Sequence, residues 1–332
     1  MRVIERVDAY QRRRRWAALP VAVLYKFVDD NGTYLASLIT YYGLVSVFPL
    51  LLLLNTVLGY VLHGDPAAQQ AALHSALREF PIIGDQIERN IHSLHGSVLG
   101  VALGIAGSVY GGLGVANAGQ YASNTIWAVP YTTRPNPLGM YGRSLLLLLI
   151  VGVELVVTTG LAAVTVAGAA VHGVGGVAVR VAAGLVAVAL NTALFVLVFR
   201  VLVARPVTTG QVLSGAVGAA VAWQALQEGG TLYVEHELRG ASATYGLFGI
   251  VLGLIAWIYL GALVFVLCSE VNAVRTDRLW PRALLALFTD HVHLTRGDRR
   301  SYERYATAEQ RTTTEQVDVA FTDRPNERPE DG

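Results

Sequence analysis

Glu154 is the residue whose type and position most invite chemistry. It stands well inside an apolar run, between LLLLLIVGV and LVVTTGL. A charge at the centre of a membrane helix is unfavourable by roughly 2.5–3.5 kcal/mol, so such a carboxylate faces a bundle interior or a wet cavity. Two roles suit it. It binds a proton, a cation or a polar solute, or it is a protonated group hydrogen-bonded to a neighbouring helix. Asn191, near the centre of another apolar run, is the cross-helix partner expected by depth, although an asparagine there also serves as interhelical glue. Gln224 and Glu228 are four residues apart and share a helix face; Glu228 lies near enough to the end of its run to reach water. Asn55 and Asn117 are the further candidates for contacts along a polar pathway.

Other chemistries find no support. Lys26, the one lysine, lacks the glycine loop of a phosphate-binding motif. His92 and His95 form one pair and His291 and His293 another, neither with the acidic cluster a two-metal hydrolase needs. The single cysteine, Cys268, makes neither an internal disulfide nor a cysteine-rich zinc site. The expectation is a non-enzyme without catalytic residues, metal or cofactor.

The elements that must carry these residues are helices in lipid. Hydrophobic residues make up 53% of the 332 and charged ones only 15%, against about 25% charged in soluble domains. Six apolar spans are read at about 35–62, 97–117, 144–170, 181–203, 212–233 and 245–268. The last has no charge from Tyr245 to Cys268, about 36 Å of helix at ~1.5 Å per residue, where a bilayer core needs about 20 residues. It ends on Glu270, Asn272 and Arg275, expected to face water. Pro49 should kink the first span. Gly100 and Gly104, Gly107 and Gly111, and Gly249 and Gly253 each recur at i, i+4, a spacing that lets helix backbones approach; a broken helix lining a pathway is the alternative. Trp127, Tyr131 and Tyr141 read as interfacial anchors.

The fold class is therefore all-α: a polytopic membrane protein with a six-transmembrane-helix bundle and an external amphipathic segment at 65–96. In that segment Leu73, Leu77 and Phe80, then Ile83, Ile87 and Ile91, each define one apolar helix face. Residues 1–32 form a basic N-terminal helix rather than a signal peptide, because Pro20 and Lys26 interrupt the apolar run and no cleavage site follows. Residues 276–332 are a polar tail, disordered near its end, in which Thr295 and Asp298 cap a short helix through Arg311. With the N-terminus inside, 21 of the Arg and Lys residues fall in inside segments and 4 outside. Both termini then lie in the cytoplasm.

Four stretches carry a resemblance: YYGLVSVFPLLLLL (41–54), NTIWAVP (124–130), RPVTTGQVLSGAVGAAVAWQALQ (205–227) and ATYGLFGIVLGLIAWIYLGALVFVLCSEVNAV (243–274). Together they resemble the YihY/virulence factor BrkB family of bacterial inner-membrane proteins over roughly residues 20 to 280. The E-x-N pattern closing the last span, Glu270 and Asn272, belongs to the most specific part. The resemblance implies six spans with both termini inside. It brings no residue motif for a function.

The leading expectation is a transporter or flippase of a polar or amphipathic solute in the cytoplasmic membrane. The alternative is a non-transporting envelope or scaffold protein that binds lipid or partner proteins, and a membrane-tethered nuclease is a remote third. Expected partners are the lipid bilayer and a small or lipidic solute, with a homo-oligomer left open and no nucleic acid.

Overall fold

The computed structural model describes residues 2–61, 98–168, 174–233, 239–287 and 292–321. Among them all regular structure is helical. Two helices open the chain, α1 (Arg2–Arg13) and α2 (Arg15–Asp29). Six long ones follow: α3 (Gly32–Val61), α4 (Val98–Ile126), α5 (Pro137–Gly168), α6 (Val174–Leu202), α7 (Thr209–Tyr233) and α8 (Arg239–Asp277). A short helix, α9 (Arg296–Ala308), comes last. Each long helix coincides with one apolar run. The amphipathic segment at 65–96, with His92 and His95, lies outside the described residues.

Local chemistry sets the helix ends. Proline suits the first position of α5 because it lacks the N–H that would go unbonded there, and the Asn136 side chain accepts from the Gly139 N–H at 2.8 Å. The expected single N-terminal helix is in fact two, broken at extended Arg14. Both α4 and α8 continue well past their apolar runs. They end on Ala128 (φ 46°) and Arg278 (φ 52°), in the left-handed conformation usually given to glycine. The amides of Val129 and Leu279 close back onto Asn124 O at 2.9 Å and Val274 O at 3.1 Å.

The six long helices form a closed ring. Each packs on the next in sequence, α8 returns to α3, and α4 also reaches across to α6 and α8. Small residues let α3 and α4 approach closely: a Cβ at Gly107 would stand 2.7 Å from Pro49 Cγ, and one at Gly111 2.6 Å from Ser46 Cα. Gly114 meets Tyr42 in the same way, so the pairs run antiparallel. Gly104 is buried beside them and Gly253 is half-buried on α8. Asn55, Gly100 and Gly249 lie in these helices but outside the residues whose side chains are described.

Outward, Leu145, Leu149 and Val153 on α5 and Leu213, Val217 and Val221 on α7 form exposed stripes at a spacing of four. Large continuous apolar surface is rare on water-soluble monomers, and lipid accommodates it. Among the described residues, three stretches are long and apolar enough to cross a membrane: Pro137–Glu154, Gly184–Leu202 and Val251–Asp277.

The main buried core gathers at one end of the ring. It takes Leu35 and Ala36 from the start of α3, Ile126 from the end of α4, Phe199 from α6, Val212 from α7, and Val266 and Ala273 from α8. Phe199 lies 6.0 Å from the Phe195 ring and 5.3 Å from that of Phe265. Over this end sits an end cap built from α1, α2 and residues 278–287 and 292–308.

Candidate functional site

Glu154 is half-buried on α5. The Asn191 amide donates to Ala187 O of its own helix at 3.0 Å. Gln224 donates to Glu228 at 3.3 Å, and Glu228 is exposed. Asn117 accepts from the Ser144 hydroxyl, which accepts from Gln120, both at 2.8 Å, a polar bridge between α4 and α5. Of the polar residues singled out by sequence, the structure thus pairs Gln224 with Glu228. It ties Asn117 to Ser144 and Asn191 to its own helix.

The dense charge lies elsewhere, in two groups at the capped end. The first is a hub around Arg282, inside the cap. Its Nε donates to Asp298 at 2.7 Å, one terminal nitrogen to Ser301 at 3.1 Å and the other to Asp29 at 2.8 Å. Asp298 also accepts from the backbone of Ala283 and Thr295, and its own N–H donates to the Thr295 hydroxyl. That reciprocal pair caps α9, as the Thr295–Asp298 spacing predicts, though the helix ends at Ala308 rather than Arg311. Gln11 of α1 donates to Arg282 O at 2.5 Å, and Asp8 accepts from the Leu284 N–H at 3.0 Å. Burial opposes the Arg282 charge, but Asp29 and Asp298 outweigh it and hold its pKa above the ordinary value. The hub joins both ends of the chain into one piece.

The second group is a seam between that cap and the ring. Lys26 of α2 pairs with Asp30 one turn on and reaches Glu270 of α8 at 3.5 Å. The three side chains are 2%, 2% and 0% exposed. The Tyr305 ring of α9 lies 5.3 Å from the Lys26 ammonium. Burial pushes the Lys26 pKa down, but Glu270 and Asp30 push harder, and it ends raised. Burial first, then Asp30, pushes the Tyr305 phenol up. Beside this trio Arg304 of α9 pairs with Asp277 at 2.7 Å and donates to Trp127 O at 2.9 Å. Arg205 reaches the same Asp277 at 3.1 Å and lies 4.5 Å over the Trp127 ring.

The two groups differ in how well they are satisfied. Among the described residues, neither carboxylate oxygen of Glu270 has a hydrogen-bond partner, nor do the hydroxyls of Tyr305 and Ser269 or the Asn272 amide nitrogen; in the hub Gln11 Oε1 alone is left so. Across both groups Lys26, Arg205, Arg282 and Arg304 face Asp29, Asp30, Glu270, Asp277 and Asp298, four cations against five carboxylates.

Three expectations are corrected here. Glu270 and Asn272 do not face water; both are fully buried, because α2 covers one side of α8 and α7 the other. Asn272 Oδ1 accepts from the Gly215 N–H at 2.7 Å, and a Cβ at Gly215 would overlap Asn272 and the Cys268 carbonyl. Trp127 is no interfacial anchor; it is fully buried under Arg205. The segment after Arg278 is not simply a polar tail, since it builds the hub. Sequence reasoning overlooked Lys26, although a sole lysine four residues before an aspartate was a usable signal. The E-x-N pattern pointed at Glu270.

A family model described as Virulence factor BrkB matches residues 23–284. No curated protein and no solved structure gives a match. The matched stretch holds Lys26, Asp30, Glu270, Asp277 and Arg282, and ends before α9.

Proposed function

The chain belongs to the Virulence factor BrkB family, and on that premise we propose that it is a multi-pass transporter or flippase of the cytoplasmic membrane, gated by its end cap. In this reading the six long helices span the bilayer with both termini in the cytoplasm, as the 21-to-4 division of Arg and Lys favours. The solute is polar or amphipathic and passes within the helix ring, with Glu154 a candidate contact. The cap covers the cytoplasmic end.

The observation that carries this is the fully buried Glu270 side chain, whose two oxygens have no hydrogen-bond partner among the described residues while Lys26 stands 3.5 Å away and is shared with Asp30. Leaving a buried polar group unbonded costs about 1–3 kcal/mol. Water entering the seam would solvate Glu270 and so offset part of the loss of the Arg304–Asp277 pair and of the apolar cluster that joins Ala22 and Val23 to Val274. Two states of similar free energy are what gating requires. The hub, by contrast, would travel with the cap. The two chain connections between cap and ring pass through Asn31 (φ 54°) and Arg278 (φ 52°), short links where a few dihedrals can absorb a hinge motion. The matched Arg282 hub also supports the scaffold reading, in which the cap never leaves.

A distance measurement separates the two. In a Cys268→Ser background, spin labels at Thr307→Cys on α9 and Leu138→Cys on α5 occupy exposed positions. In bilayers the gated reading expects two distance populations, with the longer favoured in Lys26→Met. A single narrow population in both proteins would leave the scaffold.

A further inference from the structure

A cleft of about 550 Å³ opens where the end cap meets the ring, within the roughly 300–1,000 Å³ of small-molecule sites. It draws on three separate segments: the turn after α4, the turn between α6 and α7, and one face of α9. Val129, Pro130 and Pro206 give it an apolar wall, and Arg205 and Arg304 line it together. Two guanidiniums therefore converge on one pocket from opposite sides of the seam.

Both are held in place from behind. They share Asp277, Arg205 lies over the Trp127 ring, and Arg304 donates to Trp127 O. A guanidinium has five N–H donors. Arg205 gives two of them to Asp277, while Arg304 gives one to Asp277 and one to Trp127 O. Each keeps donors for an incoming acceptor. Burial lowers the Arg304 pKa, Asp277 pulls it back up and Arg205 pushes it down again. Arg134 and Arg311, each about 4 Å from the Tyr131 ring, add positive charge to the neighbouring rim; Glu303 is the acid at the exposed edge and Glu309 is paired with Arg311.

We propose that this cleft binds a phosphate group carried on a small or lipidic molecule, and that the bound anion fastens the end cap to the ring. The fork of N–H groups on arginine matches phosphate oxygens in pairs, and the apolar wall suits the carbon part of the ligand. The site does not depend on transport: a scaffold protein could hold the same anion.

The test uses the full-length protein in uncharged detergent. Its thermal unfolding midpoint is measured in sodium chloride, in sodium phosphate at equal ionic strength, and with added short-chain phosphatidylglycerol. A ligand of the folded state raises the midpoint. The expected result is a rise over chloride that Thr307→Glu removes, with at least a tenfold weaker apparent affinity. Thr307 lines the cleft and is exposed, so this variant adds a carboxylate without touching the hub or the seam, and its midpoint in chloride should match the wild type. A rise with phosphate alone identifies a soluble phosphate compound as the source; a rise with phosphatidylglycerol alone identifies a lipid headgroup. No rise with either, or the same rise in Thr307→Glu, would overturn the proposal.

Discussion

Arg282 and Lys26 are both buried cations, each 2% exposed or less, in neighbouring groups at the same end of the molecule. Their surroundings differ. Arg282 has two carboxylates and a hydroxyl disposed around its planar fork, and one of those carboxylates, Asp298, is bonded in turn to the Ala283 and Thr295 N–H groups. Lys26 has two carboxylates as well, but Glu270 is reached at 3.5 Å and makes no hydrogen bond. A well-satisfied buried network rigidifies, and an unpaired buried polar group is costly. On the gated reading proposed above, the hub holds the cap together and the seam lets it move.

The largest expected effect comes from breaking the hub. Arg282→Met leaves buried Asp298 and half-buried Asp29 without their cation, and losing one partner of a buried pair costs about 3–5 kcal/mol. Denaturant unfolding in detergent should show a loss of that size. A loss under about 1 kcal/mol would mean the hub is no better satisfied than the seam.

A paired substitution sharpens the contrast. Asp298→Asn removes the charge that faces Arg282 and weakens the α9 cap, and should cost about 1–3 kcal/mol. Glu270→Gln removes the excess negative charge and should be neutral or slightly stabilising, while Lys26 keeps Asp30. Equal losses for the two variants would dissolve the distinction.

Next in size is a pH effect. The folded pKa of Lys26 is raised above its ordinary 10.5. Its contribution is therefore complete below that ordinary value and is lost as pH rises through the folded one. The open population in the spin-label experiment should grow at alkaline pH, and Lys26→Met should remove that dependence. A pH response unchanged in Lys26→Met would assign it to another group.

Much of the fold is legible in the sequence because it follows from local rules. Six apolar runs give six long helices, and Thr295 and Asp298 cap the last helix. The expected ends failed where polar residues face inward. Gln120, Ser123 and Asn124 extend α4, and Glu270 and Asn272 extend α8, because helices distant in sequence cover them. Asn124 Oδ1, for example, accepts from the Ala204 N–H at 2.8 Å. Hydrophobic periodicity reports burial only when the covering partner is apolar and its position is known. Here α2 and α7 cover α8, and nothing near Glu270 in the chain announces them. The candidate site was therefore sought at mid-membrane depth, at Glu154, while the densest charge was assembled from the two polar ends.

The smallest effect concerns the link itself. Arg278 holds a left-handed conformation that costs a non-glycine residue about 1 kcal/mol. Arg278→Gly should stabilise the protein by up to about that amount while leaving the seam chemistry intact, as melting in detergent would show. A destabilised variant would mean that the Arg278 side chain itself supports the hub.

A thiol placed in the seam gives the most direct measurement of the central claim. The single cysteine, Cys268, lies toward α7, its Sγ 3.6 Å from where a Cβ at Gly218 would stand, so it is replaced by serine and Ala22→Cys is introduced on α2, in the buried apolar cluster with Val274 of α8. Alkylation of this thiol by a small water-soluble maleimide is followed in bilayers and compared with the rate of global unfolding under the same conditions. If the seam opens while the hub holds, the thiol reacts much faster than the protein unfolds, and faster again with Lys26→Met added. Alkylation no faster than unfolding in both proteins would contradict the account and leave the cap a fixed part of the fold.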